Sequence, residues 1–369
     1  MLSKKHVPVY VTKTFLPPVK EYLGYVNKIW KSGWVTNEGE LDLQLQEKLK
    51  KYFGVKYLYL VDNATSGLLV AIKALGFRDE VITTPFSYVA TTSALSWMGC
   101  QPIFADINPK TYCIDPREIE KKITKATSGI LATHVYGLCC DVEAIVKISK
   151  KHHLPVIYDA AHCFGVKYKG ESILKHGDVS VVSFHATKLF HTFEGGAVIT
   201  NDKTLADKIY YMRKFGHKSS SEPHVFLGVG INAKMSEAHA AMGLCLLPKI
   251  DFLIAERKKL SQLYDKYLEN LKVELLPRQV ETEPNYIYYP VLFPTENLML
   301  KVIKKLNENK IYPRRYFYPS LTKLKYVPKQ AAPIAENIAA RILCLPLYNR
   351  MAENDVKRVC KVIYSAMLI

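Results

Sequence analysis

Short apolar runs alternate with amphipathic stretches along the first two hundred residues of the chain. The apolar runs lie at residues 57–61, 80–84, 101–107, 129–135, 155–158, 179–184 and 197–200. Their length and composition predict strands. Apolar residues recur at helical spacing in the intervening and following segments 115–123, 141–153 and 202–215. Elements that alternate in this way predict an α/β fold with right-handed crossovers and a mostly parallel sheet covered on both faces.

A proline marks the expected boundary between two domains. The helical pattern at residues 235–271 contains Pro248, which should kink or break the helix because proline lacks a backbone N–H. The segments that follow predict a strand at 286–293 and helices at 299–308 and 353–363. We therefore expect a large domain, residues 1–248, and a smaller C-terminal α/β domain, residues 249–369.

The composition and the cysteine spacing predict a soluble globular protein rather than a membrane or metal-binding protein. Of 369 residues, 49% are hydrophobic and 23% are charged, which is ordinary for a globular chain. The start lacks a continuous apolar signal region, and no long uncharged apolar stretch predicts a membrane span. The eight cysteines have no zinc-ligand spacing. We expect a cytoplasmic protein with reduced thiols, no metal site and no membrane partner.

The net charge of +17 raises the question of nucleic-acid binding. The basic residues are spread along helices, as at residues 120–122 and 256–259, instead of forming one block with interleaved aromatic residues. We therefore expect solvated helix faces and no nucleic-acid partner. The positive potential would still attract an anionic substrate.

Lys188 and Asp159 are the candidate catalytic residues. Lys188 lies on a short connection between two apolar runs, where burial would lower its pKa and leave part of the amine neutral and nucleophilic. A lysine in a loop is more often a solvated surface residue, and Asp159 is what favours the catalytic interpretation. This carboxylate follows the strand at 155–158, at the sheet edge where open α/β folds bind ligands. Such a pair suggests pyridoxal phosphate, because the acid keeps the ring nitrogen protonated while the lysine binds the aldehyde.

A second motif predicts a phosphate site. Small polar residues at 62–67 follow a strand and open a helix, so that free backbone N–H groups and the positive end of the helix dipole meet at one point. An ordinary helix N-cap would give the same pattern.

Four motifs together resemble those of the DegT/DnrJ/EryC1/StrS family, nucleotide-sugar aminotransferases that are fold-type I pyridoxal phosphate enzymes. They are residues 159–162, 183–188, 194–196 and 230–237. The similarity extends from residues 33–36 to residues 343–347. It implies a large domain with a mostly parallel sheet flanked by helices, a smaller C-terminal α/β domain and pyridoxal 5'-phosphate as the cofactor.

The resemblance implies roles around the cofactor ring. Lys188 would bind the cofactor covalently and move the proton between cofactor and substrate carbon. Asp159 would pair with the ring nitrogen, and His162 would lie against the ring or its 3-hydroxyl group, although a packed core histidine is the alternative. Tyr88 matches the aromatic residue that stacks on the ring, with Phe86 as the competing choice.

The resemblance also implies a phosphate site that two subunits share. The Ala64 amide, Thr65 and Ser183 would hold the phosphate, although Ser183 is alternatively a plain strand-end hydroxyl. Asn232 matches an asparagine that reaches the phosphate from the neighbouring subunit, which implies a homodimer. The alternative is that Asn232 is an ordinary turn residue. Ala64 departs from the family pattern, where glycine is frequent, and so does Lys234, where arginine is frequent.

The substrates follow from the same resemblance. The motifs look most like enzymes that move an amino group from L-glutamate to C4 of dTDP-4-keto-6-deoxyglucose, giving dTDP-4-amino-4,6-dideoxyglucose. Amination at C3 of a related keto sugar is the alternative, and a non-catalytic regulatory protein of the same fold is a second one. Trp34, Thr36, Arg314 and Tyr316 match segments near the sugar nucleotide, although the basic segment is alternatively a solvated loop.

Overall fold

The structure is a computed structural model that describes residues 7–219, 221–222, 224–276 and 278–368. Its helices are α1 (Val19–Ser32), α2 (Glu40–Phe53), α3 (Ala64–Leu75), α4 (Val89–Trp97), α5 (Pro116–Lys122), α6 (Val142–His152), α7 (Lys203–Met212), α8 (Glu237–Leu246), α9 (Ile250–Leu268), α10 (Glu296–Glu308), α11 (Pro333–Arg341) and α12 (Glu353–Met367). Its strands are β1 (Val9–Tyr10), β2 (Tyr57–Val61), β3 (Glu80–Thr83), β4 (Gln101–Phe104), β5 (Thr127–Thr133), β6 (Val156–Asp159), β7 (Lys167–Tyr168), β8 (Glu171–Ser172), β9 (Val179–Ser183), β10 (Gly196–Thr200), β11 (Glu274–Leu275), β12 (Thr282–Glu283), β13 (Tyr289–Leu292), β14 (Ile311–Tyr312) and β15 (Ile342–Leu345).

A seven-stranded sheet forms the centre of the large half of the molecule. Its strand order is β2-β10-β9-β6-β5-β3-β4. Strand β10 runs antiparallel to both neighbours, and all other pairs are parallel. Every residue of β6, β9 and β10 is buried, because helices cover both faces of a sheet built by crossovers. The predicted α/β fold with a mostly parallel sheet is confirmed.

The element bounds differ from the predicted ones mainly at the ends. Strand β4 ends at Phe104, three residues before the predicted end. Helix α3 begins at Ala64, where Asn63 caps it by accepting a hydrogen bond from the Ser66 amide, whereas its run of large apolar residues begins only at Leu68. A side-chain cap sets this end, and hydrophobic periodicity does not report caps.

Pro248 breaks the long helical pattern, as predicted. Helix α8 ends at Leu246, a short 3-10 turn spans Leu247–Lys249, and α9 begins at Ile250. Among the described residues, the joined span Glu237–Leu268 is long and apolar enough to cross a membrane by length and composition. Half of its apolar window is buried inside the protein, and α8 packs against α1 and α2. This packing is that of a core helix.

A smaller antiparallel sheet lies in the C-terminal part of the chain. It has the strand order β11-β13-β15, and it shares a separate hydrophobic core with α9, α10 and α12. The first strand, β1, pairs in parallel with β14, so Val9 belongs to this second core. The N-terminal segment therefore lies with the C-terminal part of the molecule. Long-range pairing of this kind leaves no local sequence pattern.

Candidate active site

A cleft of about 430 Å³ lies where the carboxyl ends of β5, β6 and β9 meet the start of α3. The predicted site residues that line it are Ala64, Thr65, Tyr88, Asp159, His162, Ser183, Lys188, Arg314 and Tyr316. The ends of adjacent parallel strands share one sheet edge, so residues far apart in sequence converge there. The cleft thus brings together the residues predicted to surround a cofactor, except Asn232, and two of the four predicted near the substrate, Arg314 and Tyr316.

Lys188 presents a partly neutral amine to the cleft. It lies in a turn after β9, where its backbone N–H donates to the carbonyl oxygen of His185 at 2.8 Å. The side-chain Nζ donates to the hydroxyl of Tyr288 at 3.2 Å. Desolvation lowers the pKa of Lys188 to about 8, although the nearby Asp159 carboxylate acts in the opposite direction. A substantial fraction of the amine is therefore neutral near pH 8 and able to attack a carbonyl carbon.

Asp159 is a buried carboxylate with a fixed orientation. Its Oδ2 accepts a hydrogen bond from the Thr91 hydroxyl at 2.6 Å, and its Oδ1 accepts one from the Ala161 amide at 3.1 Å. Burial raises the pKa of Asp159, while these hydrogen bonds and the charge of Lys188 lower it. A protonated ring nitrogen would be a suitable cationic partner for this carboxylate. This environment fits the nitrogen end of pyridoxal phosphate.

His162 offers a neutral, stacked ring. The imidazole is buried, and Nδ1 accepts a hydrogen bond from the Tyr136 amide at 3.2 Å. Its ring is nearly parallel to that of Phe317, with centres 5.7 Å apart, and nearly perpendicular to that of Tyr288. Burial holds the pKa of His162 well below its ordinary value. A neutral imidazole fixed by other rings can pack against a flat aromatic cofactor.

The start of α3 forms a seat for an anion. Ala64 and Thr65 are the first two residues of the helix and line the cleft, and the first amides of a helix have no acceptor within it. A Cβ atom added to Gly196 would lie 2.7 Å from the carbonyl oxygen of Val182 and 3.0 Å from the Ala64 amide. Only glycine therefore lets β10 approach the helix start so closely.

Ser183 adds a hydroxyl group to the same region. It is the last residue of β9, it is buried, and its Oγ accepts a hydrogen bond from the His185 amide at 3.3 Å. The hydroxyl proton can then be donated into the cleft, which Ser183 lines. The helix start and this hydroxyl together have the donors that a phosphate group needs.

The structure places the side chains of Tyr88 and Phe86 in different environments. Tyr88 lines the cleft and is 56% exposed. Phe86 is fully buried and packs edge-on against Tyr112, Tyr136 and Phe317. Phe86 is therefore a core residue, and Tyr88 is the ring that remains available to a ligand.

Trp34, Thr36 and Asn232 do not line this cleft. Trp34 is half exposed, and its Nε1 donates to the carbonyl oxygen of Asn37 at 2.9 Å. Asn232 is exposed, and its Oδ1 accepts a hydrogen bond from Lys234. The role predicted for Asn232 lies in the cleft of a neighbouring subunit. The functions of all three residues stay predictions.

Two neighbouring arginines have different environments. Arg314 lines the cleft, and its guanidinium carbon lies 4.9 Å from the centre of the Tyr316 ring. Arg315 forms an ion pair with Glu296 at 2.6 Å and donates to the carbonyl oxygen of Ala340 at 2.9 Å. Arg315 is therefore held in a structural contact, whereas Arg314 can bind an anion in the cleft.

Two residues that line the cleft, and one that holds a cleft residue, were not predicted from the sequence. Tyr288 contacts the Lys188 amine from a segment that precedes β13. Thr91 holds Asp159 from helix α4. His185 also lines the cleft, with Nδ1 2.8 Å from the Thr187 hydroxyl and Nε2 3.4 Å from the Glu194 carboxylate. No local motif marks Tyr288 or Thr91, because their importance comes from partners distant in sequence.

Known proteins resemble this chain over almost its whole length. The sequence profile of the DegT/DnrJ/EryC1/StrS aminotransferase family matches residues 19–364. A dTDP-4-amino-4,6-dideoxy-D-glucose transaminase of Shigella dysenteriae is 38% identical, with 96% of this chain and 98% of that protein covered. A protein of the same name from Escherichia coli is 37% identical over 99% of this chain and 100% of its own length. The crystal structure of DesI in the presence of its TDP-sugar product has a TM-score of 0.92 and 32% identity, covering 98% of this chain and 93% of DesI.

Proposed function

Because this chain belongs to the DegT/DnrJ/EryC1/StrS aminotransferase family, we propose that it transfers an amino group from L-glutamate to C4 of dTDP-4-keto-6-deoxyglucose. The product would be dTDP-4-amino-4,6-dideoxyglucose. The similarity to two transaminases named for this product supports the choice of substrate. The observation that carries the chemistry is one cleft that holds a lysine amine with a pKa of about 8 beside a buried carboxylate.

The cofactor of this aminotransferase family is pyridoxal phosphate, and the residues of the cleft fit it. When bound, it supplies an electron-accepting ring that stabilises negative charge on the substrate carbon. Lys188 would bind its aldehyde carbon, and Asp159 would hold the proton on its ring nitrogen. His162 and Tyr88 would pack against the ring.

The phosphate end of the cofactor would bind at the start of α3. The amides of Ala64 and Thr65, the Thr65 hydroxyl and the Ser183 hydroxyl are the donors that we assign to it. A phosphate there gains from the helix dipole as well as from hydrogen bonds. The start of α3 and Asp159 would thus hold opposite ends of the cofactor, with Lys188 in the same cleft.

Lys188 also has the properties of the proton carrier. A group transfers protons best when its pKa is near the working pH, because it can then both accept and release them. The amine of Lys188 meets this condition, since burial in the cleft lowers its pKa to about 8. It would remove the proton from the amino acid carbon in one half-reaction and deliver a proton to the sugar carbon in the other.

Arg314 and Tyr316 would contact the nucleotide sugar. The guanidinium of Arg314 can bind a diphosphate with two parallel hydrogen bonds, and the Tyr316 ring lies beside it. The net charge of +17 would assist the approach of this anion. Trp34 and Thr36 would complete the substrate site. They lie on the segment that links α1 to α2.

The proposed active unit is a homodimer in which Asn232 of each subunit reaches the phosphate of the other. Six exposed apolar side chains precede Asn232 in sequence, and they are Phe215, Val225, Phe226, Leu227, Val229 and Ile231. A cluster of this kind is typical of a surface that a second copy covers. We further propose that the enzyme is cytoplasmic, that it serves polysaccharide or O-antigen biosynthesis, and that its domains divide near Pro248.

The decisive experiment uses purified protein with pyridoxal phosphate, L-glutamate and a panel of keto-sugar nucleotides. We expect a C4-amino product from the dTDP-linked 4-keto sugar, identified by mass spectrometry and NMR. Amination at C3 would support the alternative, which no observation favours. If no aminosugar forms with any of these substrates, the proposal fails and a non-catalytic role gains support.

A further inference from the structure

Tyr288 contacts the Lys188 amine from outside the central sheet. Lys188 Nζ donates to the Tyr288 hydroxyl oxygen at 3.2 Å, and the amine lies 5.8 Å from the centre of that ring. The Tyr288 ring is nearly perpendicular to that of His162 at 5.1 Å and lies 5.2 Å from that of Tyr316. These two rings restrict the orientation of Tyr288, so its hydroxyl has a defined direction towards the amine.

The backbone that carries Tyr288 is tied to the segment that carries His162. Asn285 is buried, and its Nδ2 donates to the carbonyl oxygens of His162 at 2.7 Å and Phe164 at 2.9 Å. The buried Arg257 donates to the carbonyl oxygen of Ile287 at 3.0 Å. The phenol is therefore placed by a rigid frame rather than by a mobile loop. A rigid frame is what holding a reactive group requires.

We infer that Tyr288 is a positioning residue that orients the Lys188 amine within the cleft by accepting a hydrogen bond from it. Lysine has a long flexible stem, and one directed acceptor reduces the number of positions that its amine occupies. An oriented amine reaches the aldehyde carbon of the cofactor and the reacting substrate carbon more often, which increases the rate of both steps. This inference rests on the function proposed above.

The phenol acts here as a neutral dipole. Burial raises the pKa of Tyr288 far above its ordinary value, so the group keeps its proton at working pH. An acceptor for an N–H of the ammonium form stabilises that form and raises the pKa of Lys188. Removal of the phenol oxygen should therefore lower the pKa of Lys188, in addition to loosening the amine.

The test compares Tyr288→Phe with Tyr289→Phe. Tyr289 is the adjacent buried tyrosine, and its hydroxyl hydrogen-bonds the Asp265 carboxylate at 2.8 Å, away from the cleft. Both variants lose one hydrogen-bonded phenol, so thermal unfolding should report comparable losses. The probe is pyridoxal, without phosphate, trapped on the full-length chain by borohydride. The rate of adduct formation at Lys188 is followed by mass spectrometry between pH 6 and pH 10.

For Tyr288→Phe we expect the high-pH plateau of the trapping rate to fall about tenfold. We also expect the midpoint of its pH dependence to move down by about one pH unit. In the loaded enzyme, the same variant should lower kcat for both half-reactions more than it raises KM. Tyr289→Phe should leave the plateau and the midpoint at wild-type values.

Equal plateaus and midpoints in the two variants would overturn the inference. If Tyr288→Phe does not fold at the assay temperature, both variants and the wild type are compared at a lower temperature, with the same expected outcome. If the wild-type chain forms no adduct at Lys188, the proposed function itself fails. If the wild type forms the adduct and Tyr288→Phe matches it in both rate and midpoint, only the role of Tyr288 is wrong.

Discussion

The two sides of the cleft are built in different ways. On the side of the central sheet, Asp159 and Ser183 are the last residues of adjacent parallel strands, and Lys188 follows one of them closely. On the other side, Tyr288, Arg314 and Tyr316 come from irregular segments next to the small sheet. The first side is assigned to the cofactor and the second to the substrate and to the orientation of the lysine. Strand ends at one sheet edge thus hold the groups assigned to the cofactor, whereas irregular segments near the small sheet hold the groups assigned to the substrate.

Replacement of Lys188 by alanine should have the largest effect, because it would remove both the proposed covalent attachment of the cofactor and the proposed proton carrier. We expect turnover to fall by roughly 10⁴-fold and the visible absorption of the lysine-bound cofactor to disappear. The measurements are steady-state rates with the keto-sugar nucleotide and an absorption spectrum.

Lys175→Ala is the matched control for this change. Lys175 pairs with Glu171 on the surface, outside the cleft, so its variant should keep the rate and the spectrum. Retention of the visible band in Lys188→Ala would contradict the assignment of the cofactor-binding lysine.

Asp159→Asn should have the next largest effect, since it removes the charge but retains the size of the side chain. We expect a loss of about 10²- to 10³-fold in the half-reaction with glutamate, because a neutral amide does not keep the ring nitrogen protonated. Stopped-flow absorbance measures this step.

Asp178→Asn is the control. Asp178 accepts a hydrogen bond from the Val156 amide at 2.7 Å near the opposite, amino-terminal edge of the sheet. If both variants lost the same fraction of the half-reaction rate, the position of the carboxylate in the cleft would not matter for this step.

The substrate side is tested by Arg314→Ala and Arg315→Ala. Removal of the Arg314 guanidinium should lower kcat/KM for the nucleotide sugar about 10- to 100-fold with little change in unfolding temperature. Arg315→Ala should instead destabilise the fold by about 1 kcal/mol, because it breaks the contacts with Glu296 and Ala340. Kinetics and thermal unfolding of both variants separate the two effects. A kinetic defect confined to Arg315→Ala would reverse our assignment of the pair.

The smallest expected effect is that of Lys188→Met on the free energy of unfolding and on its dependence on pH. The folded-state pKa of Lys188, about 8, lies below the value near 10.4 of a lysine in an unfolded chain. Below pH 8 the amine is charged in the folded and in the unfolded state, and the desolvation of this charge destabilises the fold. The penalty disappears as the pH rises from about 8 to about 10.4, because the folded state then loses its proton first. Lys188→Met should therefore be more stable than the wild type at pH 7, by about 1 kcal/mol after allowance for partial exposure.

Urea unfolding of the full-length chain without added cofactor, at pH 7 and pH 10, measures this difference. The advantage of Lys188→Met should shrink at the higher pH. A constant advantage at both values would show that the Lys188 amine is not desolvated in the folded state.

Helix α2 shows how a clear pattern can lack a start signal. Its buried residues Leu41, Leu45, Leu49 and Phe53 recur every four positions, which is the spacing of a buried helix face. This helix is not among the elements predicted from the sequence. Gly39, at the N-cap position, has no side chain that could cap the first turn. The carboxylate of Glu237 takes this role and accepts hydrogen bonds from the Leu41 and Asp42 amides. A cap supplied from a residue almost two hundred positions away leaves no local signal.

The sequence by itself determined the alternating strands and helices, the break at Pro248 and the meeting of Asp159 with Lys188. These features depend on local periodicity and on the rule that parallel strands end at one edge. Only the tertiary structure decided that Tyr88 rather than Phe86 faces the cleft, that Arg314 rather than Arg315 is available to an anion, and that Tyr288 contacts the lysine. Chemically similar neighbours in sequence differ only in what packs against them, and packing partners come from distant parts of the chain.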